Sequence, residues 1–436
     1  MSKSWNSFEK CVQNKKIVCY GAGVNAYMML LDSKFARFVD KVLFFVDMKP
    51  KKHNTKLKAG ELEFDIQSLE KISTLEEEFI VLITIADYMN VGKAMEQRAI
   101  DWYSWTVISA DYSFYELESS QLTDKSAYFL LNTPDYMNLG DHAIAIAEKQ
   151  YINNNFGHCY EFGTSVCHLD GLERLKKYVK PNDVIFVQGG GNMGSLWRVC
   201  EENIRGIVKT FHNNKIVIFP QSVYYESDAE TYFNSSKDIY NNHPDLIICC
   251  RDNRSYDFVK ANYKCNCMLL PDMVLTLKHQ RDHKRNGIGV LVREDKEKQT
   301  PDNFGEIIED TIREMGKELI PITHHPMCDP NDRVNNINNI FELYSSCELV
   351  ITDRLHGMIF SAITDTPCIV FDNSYRKISS LYNTWLKECE SVTFADNSSI
   401  IELEKTIGEK LKAKYASYDE NYFVEQLNEL TKYIKQ

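Results

Sequence analysis

The feature that most constrains this chain is an alternation that restarts twice. Short runs of β-branched and aromatic residues end abruptly in polar or glycine-bearing turns, and each turn opens a longer stretch of helical pattern. Lys16-Ile-Val-Cys-Tyr20, Val42-Leu-Phe-Phe-Val46 and Phe79-Ile-Val-Leu-Ile-Thr84 make the first series. A polar stretch, Asp111 to Lys125, reads as a linker. The alternation then resumes at Ala127–Leu131 and continues through Asp183–Gln188, Lys215–Phe219 and Asp245–Cys249. A third series holds Ile288–Val292, Cys347–Ile351 and Pro367–Phe371, followed by two polar helices between Ser399 and Gln436. Runs this apolar suit strands buried on both faces, so the expectation is parallel sheets flanked by helices. Three consecutive α/β modules are expected, over residues 1–115, 126–280 and 285–436, with the last two forming the halves of one cleft.

Composition excludes several classes of function. With 44% hydrophobic and 26% charged residues, a chain of 436 residues buries ordinary globular cores. Its 50 Lys and Arg stand against 62 Asp and Glu, a formal charge of −12 that repels nucleic acid and anionic membranes. A local basic pocket for a small anion remains compatible with that field. No run approaches the ~18 apolar residues of a membrane span, and Met1–Ser7 lacks the apolar core of a secretory signal. The thirteen cysteines are an odd number scattered through apolar segments, and Cys265-x-Cys267 is too closely spaced for the usual zinc knuckle. Reduced thiols, a cytoplasmic location and no metal site are therefore expected.

In open α/β sheets ligands bind at the carboxyl ends of the strands, so the residues that follow each strand matter most. After Leu131 comes Asn138-Leu139-Gly140-Asp141, with Asp141 where a helix N-cap belongs. After Gln188 come Gly189, Gly190, Gly191 and Asn192, a loop without β-carbons over which a phosphate or sugar can approach the backbone. Pro220, Gln221 and Ser222 follow the next strand. Arg251, Arg293 and Arg354 each end a further strand on the cleft side. Arginine keeps its charge near neutral pH and holds anionic oxygens through a planar fork of donors. Three such residues in an acidic protein imply a multiply charged anionic small molecule. Asp353-Arg354-Leu355-His356-Gly357 adds an imidazole fit for proton exchange at a strand-to-helix junction. In the first module Gly21, Gly23 and Asp47 fit a dinucleotide fingerprint, which by itself is a weak signal.

In that order, the motifs NLGD, FVQGGGN, FPQS, CCRD, VLVRED and TDRLHG resemble the polysaccharide pyruvyl transferase family over about Ala127 to Asn373. The resemblance implies two Rossmann-like domains in a GT-B-like arrangement, to which this chain adds an N-terminal Rossmann-like domain. It implies phosphoenolpyruvate as donor, a saccharide acceptor, free or lipid-linked, and no cofactor. It places Arg354, Leu355 and His356 in the donor site, with Arg251 or Arg293 as a second cation. Asp141 and the glycine run would lie opposite, with Asp141 as base for the attacking hydroxyl. A lipid carrier would be met at the inner face of the membrane. The rival on the same scaffold is a glycosyltransferase using a nucleotide sugar. Oligomeric state is not readable from the sequence.

Overall fold

The structure is a computed structural model, and it describes residues 4–85, 87–119, 126–167, 171–279, 284–325 and 332–436. In the first sheet are β1 (Lys16–Tyr20), β2 (Val42–Val46), β3 (Thr55–Ala59), β4 (Leu62–Gln67), β5 (Phe79–Ile83) and β6 (Trp102–Ser104). Their order is β3-β4-β2-β1-β5-β6, parallel except where β3 meets β4. That hairpin carries Lys56, Lys58 and Glu63 as exposed ion pairs, which is why no apolar run announced it.

The second sheet contains β7 (Tyr128–Thr133), β8 (Cys159–Gly163), β9 (Val184–Val187), β10 (Gly190–Gly194), β11 (Lys215–Tyr224), β12 (Leu246–Cys250) and β13 (Asn266–Leu269). The order is β13-β12-β11-β9-β7-β8, and β10 runs beside the far end of β11. Alternate residues face opposite layers. Phe129, Ile185, Ile216 and Ile248 pack with Phe114, Leu117 and Ile204. On the other side, Leu130, Phe186, Val217 and Ile247 pack with Ile152, Leu430 and Ile434. The third sheet contains β14 (Ile288–Leu291), β15 (Leu319–Pro321), β16 (Leu349–Thr352), β17 (Cys368–Val370) and β18 (Val392–Phe394), parallel throughout in the order β15-β14-β16-β17-β18.

Four expectations need correcting. The triple glycine is not a free loop: Gly190–Gly194 forms β10 and pairs with β11. Strand β11 does not stop at Phe219 but runs on to Tyr224, so Pro220, Gln221 and Ser222 lie inside it. Pro220 has no N–H to give the ladder, and the register to β12 slips between Ile218 and Gln221. The polar stretch after Asp111 begins as helix, Trp105–Ser119, whose Phe114 and Leu117 are buried in the second sheet's core; residues 120–125 lie outside the described residues. Finally, residues 403–436 form three helices, and the last, Asn428–Lys435, returns to pack against the second sheet rather than the third.

The carboxyl ends of the second and third sheets face one another. Leu139, Ala143 and Ile144 of the helix after β7 share one core with Leu355, Met358 and Ile359 of the helix after β16. Across the same gap the Tyr375 ring stacks on Tyr224 at 4.8 Å, and Trp385 Nε1 donates to the Arg251 carbonyl at 2.9 Å. Among the described residues no helix is long and apolar enough to cross a membrane.

Candidate active site

The wall after β7 is the helix Leu139–Asn155, and its first turn shapes the site. Asn138, not Asp141, is the N-cap, accepting from the Gly140 N–H at 3.1 Å. Asp141 falls one turn in, where its charge suits the helix N-terminus. Its Oδ2 accepts from Tyr136 Oη at 2.9 Å and from Asn138 Nδ2 at 2.8 Å. Gly140 is glycine because of what lies across the cleft: a β-carbon there would sit 2.2 Å from His356 Nδ1. The first turn of one domain thus touches the imidazole of the other.

The second sheet supplies the glycine run and Arg251. Gly189 N–H donates to the Glu148 carboxyl at 2.8 Å, and burial pushes that carboxyl well above its usual range. Gln221 bridges strands, donating to the Gln188 carbonyl at 2.7 Å and accepting from the Asn192 N–H at 3.2 Å. Arg251 is 2% exposed and held by two partners. Its Nε donates to Ser222 Oγ at 2.9 Å, and its Nη1 to Asp272 Oδ2 at 2.7 Å. The remaining nitrogen, Nη2, lies 3.2 Å from the point where a Gly191 β-carbon would be.

Asp272 ties Arg251 to His356. Its Oδ2 lies 3.7 Å from His356 Nε2, a charge contact too long for a hydrogen bond. Burial alone would raise this carboxyl, but His356 and Arg251 overcome it and hold it well below the usual carboxylate range. His356 Nε2 is buried and, among the described residues, has no hydrogen-bond partner; the same is true of Arg354 Nε. A buried polar nitrogen with nothing to bond to calls for an explanation, and a bound ligand supplies one.

The third sheet's two arginines differ. Arg293 donates to Asp295 from Nε at 3.0 Å and pairs with Glu297 from Nη2 at 2.7 Å, so its charge is answered. Arg354 is the N-cap of the helix Leu355–Ile363, and among the described residues its one ion pair is with Asp295, at 3.7 Å. Burial first, then the neighbouring Arg293, lower its pKa against the pull of Asp295, Asp353 and Glu297. Leu355 is buried in the core behind them. The structure therefore brings together Asp141, the glycines, Gln221, Ser222, Arg251, Arg354 and His356, and adds Arg293 as their neighbour.

Sequence reading passed over Asp272, Glu297, Tyr375 and Lys377. Asp272 follows a short, partly exposed strand whose run of polar and sulfur residues, Asn266–Leu269, gave little signal. Lys377 and Tyr375 stand beyond Asn373, where the resemblance ends.

Gly21, Gly23 and Asp47 do not join this site. Gly21 takes φ 102°, a left-handed conformation open to glycine, where β1 turns into the helix Val24–Leu31. Asp47 is consumed locally: it accepts from the Ala22 N–H at 3.1 Å and the Lys49 N–H at 2.9 Å, and pairs with Lys52 at 2.9 Å. Among the described residues no group of His, Cys, Asp and Glu is placed to hold a metal ion, and the described cysteines are unpaired.

Residues 138–375, more than half of the chain, match the family described as polysaccharide pyruvyl transferase. The chain belongs to the polysaccharide pyruvyl transferase family. Among its relatives, Pyruvyl transferase 1 of Schizosaccharomyces pombe is 28% identical over 60% of this chain and 70% of that protein. General stress protein 30 of Bacillus subtilis is 36% identical over 67% of this chain and 88% of its own length. Among solved structures, a UDP-GlcNAc 2-epimerase of Methanocaldococcus jannaschii aligns at a TM-score of 0.43 and 10% identity, over 71% of this chain and all of that one. A similarity that distant says nothing about substrate. The family match begins at Asn138, so the N-terminal sheet lies outside it.

Proposed function

We propose that this pyruvyl transferase takes phosphoenolpyruvate as donor and joins its three-carbon unit to two hydroxyls of one acceptor sugar as a cyclic ketal, releasing phosphate. The observation that carries this reading is the pair of cations supplied from opposite sheets, Arg251 and Arg354, with the His356 nitrogen that has no hydrogen bond among the described residues near Asp272, the partner of Arg251. The donor brings a carboxylate and a phosphate. Two guanidiniums in a dry cleft meet that charge far better than they would in water.

In this mechanism His356 gives a proton to the vinyl methylene, which makes the neighbouring carbon electrophilic. Asp141, on the facing helix turn, takes the proton of the attacking hydroxyl. Tyr136 and Asn138 both bond Oδ2 and so fix the carboxylate's orientation. Phosphate leaves, and the second hydroxyl closes the ring. Asp272 holds Arg251 in place and lies 3.7 Å from His356 Nε2. Each acid or base of this kind is worth about 10²–10⁴ in rate. The chemistry calls for no metal and no cofactor. A lipid-linked acceptor, met at the cytoplasmic membrane face, fits a polysaccharide-building role.

The test is product analysis. Incubated with phosphoenolpyruvate and a panel of sugars, the enzyme releases one phosphate per ketal formed. Release of a nucleoside diphosphate from a nucleotide sugar, with none from phosphoenolpyruvate, would transfer the cleft to glycosyl chemistry.

A further inference from the structure

Three donors converge where Gly191 lacks a side chain. From its β-carbon position, Arg251 Nη2 is 3.2 Å away, and Lys377 Nζ and Tyr375 Oη are each 3.8 Å away. The guanidinium comes from the end of β12 in the second sheet, and the other two come from the segment after β17 in the third. An anionic group resting on the Gly191 backbone would touch all three.

Resting on the phosphoenolpyruvate reading, we propose that Lys377 is a further catalytic residue: its ammonium holds the donor's phosphate over Gly191 and protonates the oxygen that departs with it. In this step the bond between the donor's central carbon and its phosphate oxygen breaks. The oxygen keeps the electron pair and takes the proton from Nζ. The carbon is left as an oxocarbenium ion, stabilised by the sugar oxygen already attached. The second hydroxyl adds to that carbon and releases its proton, which restores the ammonium through solvent. Phosphate leaves as the singly protonated dianion, and charge and atoms balance.

The surroundings of Lys377 suit a proton donor better than a fixed counter-ion. Nζ donates to Glu297 Oε2 at 2.6 Å, but that carboxylate already pairs with Arg293 at 2.7 Å. The Tyr375 ring lies 5.0 Å away, and Arg251 Nη2 approaches the same Gly191 position to 3.2 Å. Burial first, then Arg293 and Arg251, bring the ammonium down to about 8 against the pull of Glu297. A lysine near that value loses its proton readily at neutral pH and regains it.

The experiment compares the full-length wild type with Lys377→Arg and Lys377→Gln, following phosphate release from phosphoenolpyruvate across pH, with melting temperatures to confirm folding. Wild-type kcat should fall on the alkaline side near pH 8. Lys377→Arg should keep KM for phosphoenolpyruvate within a few-fold yet lose about 10²-fold or more in kcat, and its alkaline limb should vanish. Lys377→Gln should lose kcat and raise KM together. If Lys377→Arg turns over as fast as wild type, Nζ transfers no proton and the proposal falls. If folded Lys377→Gln keeps normal kcat and KM while wild type consumes phosphoenolpyruvate, the proposal falls and the donor reading stands. If wild type releases no phosphate from phosphoenolpyruvate, both fall.

Discussion

The first sheet and the facing pair are built from the same parts, and they handle charge in opposite ways. Each has a glycine-bearing segment after a central strand and an acidic residue at a neighbouring strand end. In the first sheet Asp47 is satisfied within its own module, by Lys52 and by the N–H groups of Ala22 and Lys49. In the cleft, charges are shared between domains. Asp272 of the second sheet serves Arg251 and reaches His356 of the third, while among the described residues Arg354 Nε and His356 Nε2 are left without hydrogen bonds. Similar folds therefore differ in what remains unspent after folding, and function follows the remainder. The N-terminal fingerprint describes a turn whose charge is answered within its own sheet, whereas the cleft's charges are answered from two sheets.

That contrast can be attacked in descending order of effect. His356→Ala should lower turnover by about 10²–10⁴ with the fold intact, because among the described residues its Nε2 makes no hydrogen bond to lose. Steady-state kinetics on the folded variant decide it, and near-normal turnover would remove His356 from the chemistry. Asp272→Asn should strike stability as well. It leaves Arg251 buried without its counter-charge, at a cost of about 3 kcal/mol by denaturant unfolding. An unchanged midpoint would show that the cleft's charges are as locally settled as those of the first sheet.

A third test uses pH on the junction between the domains. His142 bonds the Tyr136 carbonyl through Nε2 at 2.8 Å and takes the Arg333 Nε proton on Nδ1 at 2.9 Å, so it is held neutral. Burial, helped by Arg333, lowers its pKa to about 4. The unfolded chain, with an ordinary histidine near 6.5, then binds more protons between those two values. Stability must fall as pH drops through that window, by roughly 3 kcal/mol from this residue. In His142→Gln that part of the slope should be gone, and a slope identical to wild type would contradict the assignment. The smallest effect is expected from Asp47→Asn. About 1 kcal/mol of stability should be lost, with turnover unchanged. A large loss of turnover would make the first sheet part of the active site after all.

Much of this was legible in the sequence, for physical reasons that can be named. The central strands were found because a strand covered on both faces is written as an unbroken apolar run, as in Ile216–Phe219 or Leu246–Cys250. Edge and exposed strands were not: β3 and β4 are written in lysine and glutamate, and β10 in glycine. Residues at the ends of central strands, Arg251 and Arg354 among them, were visible because the fold itself says where to look. Asp272 follows an edge strand with no clear pattern, and Lys377 sits in a segment where no strand end points to it. The misplacement of Asp141 as N-cap came from a helix that starts earlier, at an asparagine equally able to cap.

The central claim, that the cleft between the two sheets holds phosphoenolpyruvate by Arg251 and Arg354, is tested most directly by thermal unfolding of wild type and Arg354→Ala with that ligand and, separately, with a UDP-sugar. At about 100 times its dissociation constant phosphoenolpyruvate should add roughly 2.7 kcal/mol to wild type. In Arg354→Ala, folded and melting normally without ligand, that stabilisation should be absent. Stabilisation by the UDP-sugar alone, or an equal phosphoenolpyruvate shift in the variant, would contradict the account.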